Sequence, residues 1–103
     1  MIFKITRADH YPQPFNPVKD PRIFINFALT QNADRVVFSL YTSGYRMILR
    51  KELGSANAGL QRAMIEVPEA RTFSNGSYFW VIEAENGESG KVRHRPNTLI
   101  ILK

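Results

Sequence analysis

The stretch Ser74-Asn75-Gly76-Ser77-Tyr78-Phe79-Trp80-Val81-Ile82-Glu83-Ala84 decides how this chain is read. Asn75-Gly76 is a turn signal, because both residues tolerate positive φ at little steric cost. Beyond it, an extended chain puts Tyr78, Trp80, Ile82 and Ala84 on one face and Phe79, Val81 and Glu83 on the other. Aromatic and β-branched side chains suit a pleated surface. A strand that is apolar on both faces is expected in the middle of a sheet, with another layer over at least one side.

The segments around it read as further strands. Ile23, Ile25, Phe27 and Leu29 alternate with Arg22, Phe24, Asn26 and Ala28. Val36, Phe38 and Leu40 alternate with Val37, Ser39 and Tyr41, and Thr42-Ser43-Gly44 then turns the chain. Met47 to Leu53 is a more basic strand, residues 54–59 are a small-residue loop, and Ala63, Ile65 and Val67 alternate as far as Pro68. After Ala84 a second Asn-Gly pair, Asn86-Gly87, predicts a hairpin. Lys91 to Arg95 pairs back, Pro96-Asn97 interrupts, and Thr98 to Leu102 is the last strand. Ile2 to Ile5 reads as a short first strand, with Arg7 to His10 as a lead-in. Ala56 to Ala63 is the one candidate helix, and its glycine argues against it. The pattern predicts an all-β, antiparallel β-sandwich of about seven strands, folded as one domain over residues 1–103. A boundary to a parent protein is expected before Tyr11.

Tyr11-Pro12-Gln13-Pro14-Phe15-Asn16-Pro17 holds three prolines in six residues. They forbid a helix and leave three positions without a backbone donor. The segment is therefore stiff and extended, and it carries two aromatic rings. Phe15 is expected to plug one end of the core, with a peptide-like recognition element as the competing reading.

Composition narrows the function classes. The 103 residues suffice for one two-layer core, and 44% hydrophobic content is too rich for a disordered chain. With no Cys there is neither a disulfide framework nor a thiolate metal site. Apolar runs fall far short of the roughly 20 residues of a membrane span, and Met1-Ile2-Phe3-Lys4 is too short for a signal peptide. The net charge is +5, but the 14 Lys and Arg are dispersed, with modest clusters at Arg46–Lys51 and Lys91–Arg95. Solvated strand faces account for these, and nucleic acid is not an expected partner.

No stretch reads as an active site. His10 and His94 lack any zinc-type spacing to other ligands. Glu83 and Glu85 share one strand face, whereas a glycosidase pair must face across a cleft. Ser39, Ser43 and Ser77 have no nucleophile-elbow context, and Gly87-Glu88-Ser89-Gly90 opens no helix that would cradle a phosphate. The chain is expected to be non-enzymatic and to carry no cofactor or metal. Among the aromatics Tyr11, Phe15, Tyr41, Tyr45, Tyr78, Phe79 and Trp80, the residues Tyr78 and Trp80 are expected to face the core. Phe79 and Val81 fall on the opposite face, an apolar patch for a partner protein if that face is uncovered.

Three features in order resemble the family of Ig-like domains named for the flagellar hook-capping protein, the FlgD-type Ig-like domains. They are the segment Tyr11 to Pro17 followed by the strand Ile23 to Leu29, the strand Val36 to Tyr41 followed by Gly44, and Asn75-Gly76-Ser77-Tyr78-Phe79 with the apolar ending Leu99 to Lys103. The resemblance spans Tyr11 to Lys103; Gln13 stands where the family usually has Asn. It implies an Ig-like, fibronectin III-like sandwich. The Pro-Phe-Asn-Pro run is similar to that of C-terminal modules of exported bacterial proteins, some of which act as sorting signals in type IX secretion. The implied function is a non-catalytic module for secretion, surface anchoring or appendage assembly, with a protein partner, located in the periplasm, at the cell surface or outside the cell. Tyr11, Phe15, Phe79, Val81, Leu99 and Ile101 are the candidate partner-binding residues. The alternative is a carbohydrate-binding sandwich with polysaccharide on exposed aromatics.

Overall fold

Among the described residues, 2–103, the computed structural model contains eight strands and one short helix. In chain order these are β1 (Ile5–Tyr11), β2 (Arg22–Leu29), β3 (Ala33–Thr42), β4 (Met47–Ala56), β5 (Gly59–Glu66), a 3₁₀ turn (Pro68–Thr72), β6 (Gly76–Asn86), β7 (Gly90–Arg93) and β8 (Asn97–Ile101). One sheet has the order β1-β2-β5; the other has the order β4-β3-β6-β7, with β8 also on β6. Every pairing between named strands is antiparallel. The two sheets form a sandwich, as the alternation predicts.

The break expected at Pro96 separates β7 from β8, and the strands number eight rather than about seven. β7 pairs with Glu83 to Asn86, and β8 pairs with Gly76 to Trp80 on the same side of β6. Pro96 has no N–H to continue the ladder between them. Tyr78, Trp80, Ile82 and Ala84 of β6 face the core with Val36, Phe38 and Leu40 of β3, and meet Ile23, Ile25, Phe27 and Leu29 of β2. The Asn86-Gly87 hairpin forms as expected, with Asn86 opposite Gly90. Asn86 Oδ1 accepts from the N–H of Glu88 and of Ser89, and so shapes the turn.

Three local expectations change. The first strand is not Ile2 to Ile5 but β1, which starts at Ile5 and takes in Arg7 to His10. Its inward positions, Ala8 and His10 opposite Phe27 and Ile25, are small or polar, and its register shifts between Ile5 and Arg7. These two features hide the period. Residues 54–56 belong to β4, whose register shifts near Gly54, where φ is +82°. The chain then changes sheets through Asn57-Ala58, pinned by a 2.8 Å hydrogen bond from Ala58 N–H to Asn32 Oδ1. The candidate helix Ala56 to Ala63 is therefore a strand end, a turn and a strand start.

The proline segment lies along β8. Phe15 N–H donates to Ile100 O at 2.7 Å, and Leu102 N–H donates to Phe15 O at 3.0 Å, in a parallel bridge between Phe15 and Ile101. The Phe15 ring is fully buried in the core beside Leu99 and Ile101. Burying such a ring contributes roughly 1.5–3 kcal/mol by area, and removing it leaves a cavity as well. Tyr11 instead stacks on Phe24, ring centroids 5.0 Å apart, and is 40% exposed. Phe15→Ala should lower the unfolding free energy by about 3–5 kcal/mol, and Tyr11→Ala by only about 0.5–1.5 kcal/mol. Urea titrations of the two variants against wild type check this ranking.

Candidate interaction surfaces

The six candidate partner-binding residues are not brought together. Phe15, Leu99 and Ile101 are buried at one end of the core, and Tyr11 lies on the outer face of the three-stranded sheet. Phe79 and Val81 lie on the outer face of the five-stranded sheet, where Phe79 is half-buried and Val81 fully buried. Val81 is opposite Ser39, between the Phe79–Tyr41 row and the Glu83–Val37 row. Short residues ringed by long ones are shielded without a second layer, and Val37 and Ser39 beside it are buried too.

The accessible apolar surface on this face comes from Met47, opposite Tyr41, and from a residue of the turn. Tyr45, 64% exposed, stacks on Phe79 with ring centroids 5.1 Å apart and planes 5° from parallel. Its φ is +64°, an uncommon conformation for a bulky residue. The turn enforces it: Tyr45 N–H donates to Thr42 O at 2.9 Å, and Thr42 N–H donates to Arg46 O at 2.9 Å. Arg93 lies over the Tyr41 ring, 5.9 Å from its centroid. The other end of the face is charged. Arg35 pairs with Glu52, and Lys91 Nζ lies 3.8 Å from Glu85. Exposed pairs of this kind add little stability, but they offset much of the basic charge locally.

The edge of β8 is occupied by the chain itself. Besides the two Phe15 backbone bonds, Gln13 Oε1 accepts from Ile100 N–H at 3.0 Å, and Gln13 Nε2 donates to Thr98 O at 3.2 Å. Strand addition at Leu99 to Leu102 would therefore have to displace the proline segment.

Behind this seam sits His10, half-buried opposite Ile25. Trp80 Nε1–H donates to His10 Nδ1 at 2.9 Å, so the imidazole carries its proton on Nε2, which faces Gln13 Oε1 at 3.2 Å. The two rings meet edge to face at 5.6 Å. Trp80 is sealed in the core and out of reach of a sugar. Burial holds the His10 pKa below its ordinary value, opposed by the Gln13 hydrogen bond and by the charge of Asp9. Among the described residues, no group of three or more His, Asp or Glu side chains is placed to hold a metal ion.

No family model matches the chain, and no curated protein matches it. The FlgD-type resemblance therefore rests on the residues quoted above. Among solved structures, the fold is similar to part of dimeric latent PorU from Porphyromonas gingivalis, with a TM-score of 0.69 and 10% identity. The match covers 92% of this chain and 9% of that one. At this identity the likeness is one of fold, and the chain spans less than a tenth of the protein it matches.

The His10–Trp80 pair predicts a pH dependence. Folding depresses the His10 pKa, so the unfolded chain binds the proton more readily. The stability that neutral His10 supplies is complete above about pH 6.5 and is lost as pH falls through the depressed folded value. Asp9, whose pKa is lowered by hydrogen bonds from Asn26 and Arg7, acts in the same direction but only in more acid solution. Urea unfolding should therefore show a decline beginning just below pH 6.5 that His10→Phe removes. The same decline in the variant would contradict the assignment.

Proposed function

We propose that this domain is a non-catalytic Ig-like module through which a larger bacterial protein makes protein–protein contact during secretion, surface anchoring or assembly at the cell envelope. The observation that carries this reading is the match of nearly the whole fold to a small part of PorU, a much longer chain. The ordered motifs from Tyr11 to Lys103 add to this, because they resemble C-terminal modules of exported proteins. The seam between the proline segment and β8 presents Pro12, Pro14 and Leu102 beside an open groove that Asn16, Lys19 and Asp20 complete. A rigid, backbone-defined end suits recognition by an export or envelope protein, located in the periplasm, at the surface or outside the cell.

A second reading, carbohydrate binding, is favoured by the exposed ring of Tyr45 on the Phe79 stack. A glycan titration followed by backbone shifts at Tyr45 separates it from the first.

The export reading is tested by fusing residues 1–103 to the C-terminus of a periplasm-directed fluorescent protein in a bacterium with type IX secretion. Surface display or release that requires the fused domain is the expected result. Retention of a folded fusion in the periplasm would contradict it.

A further inference from the structure

Of the sheet edges among the described residues, β5 is the longest that is both open and free of a register shift. The β7–β8 edge is broken by Pro96, with its β8 part covered by the proline segment and its β7 part only four residues long. β1 shifts register after Ile5 and runs into Pro12, and the ladder of β4 with β3 shifts register at several points. β5 pairs residue for residue with β2 from Gly59 to Glu66, without a shift. Uninterrupted edges are what proteins usually blunt with bulges, prolines or charge.

The chemistry of this edge is self-complementary. Val67 N–H donates to Pro21 O at 2.8 Å, and backbone groups alternate sides along a strand. The N–H and C=O groups of Leu60, Arg62, Met64 and Glu66 therefore point away from β2. The same four side chains lie on the outer face and are exposed, Leu60 at 66% and Met64 at 49%. Neither Arg62 nor Glu66 forms a salt bridge among the described residues. Arg62 donates to Asn26 Oδ1, and Glu66 stands opposite Arg22.

We propose that β5 is a self-association strand that pairs antiparallel with β5 of a second copy about a two-fold axis at Met64. Residues directly opposite across such an axis have numbers that sum to twice the central one. Centring on Met64 sets Arg62 against Glu66 of the second copy, twice over by symmetry, on the same exposed face. Centring on Arg62 would oppose like charges. Centring on Ala63 or Ile65 would set an ionic side chain against Met64. Opposite-charge pairs directly across a ladder stabilise it, and like charges do the reverse. The same register continues the Tyr11–Phe24–Met64 row into its counterpart, giving one aromatic and methionine row across both copies. The contact is small, so a reversible, concentration-dependent dimer is expected. The inference stands independently of the export reading.

Sedimentation equilibrium on the 103-residue chain tests it with charge reversals. Wild type should dimerise as concentration rises, while Arg62→Glu and Glu66→Arg should each stay monomeric. An equimolar mixture of those two variants should form a heterodimer, because both cross pairs then regain opposite charge. Met64→Lys, exposed in the monomer and on the axis in the dimer, should also abolish association. A wild type that is monomeric up to about 1 mM overturns the proposal. So do single reversals that dimerise like wild type, or a mixture that stays monomeric.

Discussion

The sandwich depends on the closure of its last edge by a segment that comes before its second strand. β6 carries the central core column, with β3 along one side and two short strands, β7 and β8, on the other. A strand as short as β8, with an open outer edge, would hold that column weakly. The two backbone bonds of Phe15 and the side-chain bonds of Gln13 satisfy the N–H and C=O of Ile100, the N–H of Leu102 and the C=O of Thr98. Prolines suit this task because each fixes φ near −65° and carries no donor to leave unpaired. Phe15 adds the apolar part by inserting its ring beside Leu99 and Ile101.

The seam is tied to the interior by one polar chain. Trp80 of β6 donates to His10 of β1, and His10 faces Gln13, which bonds β8. A buried indole N–H without an acceptor is costly, and the inward histidine of the facing sheet provides one. The chain therefore links the two sheets and the closing segment across a core that is otherwise apolar. Outside the core the two sheets present different faces. The three-stranded sheet carries a polar row in which Asn26 bonds both Asp9 and Arg62. The five-stranded sheet carries the Tyr45–Phe79 stack at one end and ion pairs at the other.

The sandwich was legible where burial imposes a period of two. β2, β3 and β6 alternate because one face of each must be apolar; Asn86-Gly87 marks its hairpin turn, and Asn75 a bend where β6 begins. Gly76 has φ +148°, while Asn75 Oδ1 accepts from Lys103 N–H at 3.0 Å, a role no local reading assigns. β1 was misplaced because His10, an inward residue, is polar and satisfied by a ring distant in sequence. The extent of β4 was missed because a bulge at Gly54 looks like a loop. Periodicity assigned Val81 to its face but carried no information about the long neighbours that bury it. The closing contact was the least legible part, since Gln13 and Ile100 are 87 positions apart and no spacing rule connects them.

The central claim is that the proline segment is an integral part of the sheet edge rather than a tail lying on it. Amide hydrogen exchange measures this residue by residue. The amides of Phe15, Ile100 and Leu102 should be protected together, and should open with the same free energy as that of Val81, which lies in the β3–β6 ladder opposite Ser39. Exchange of these three at loop-like rates, while Val81 stays protected, would contradict the account.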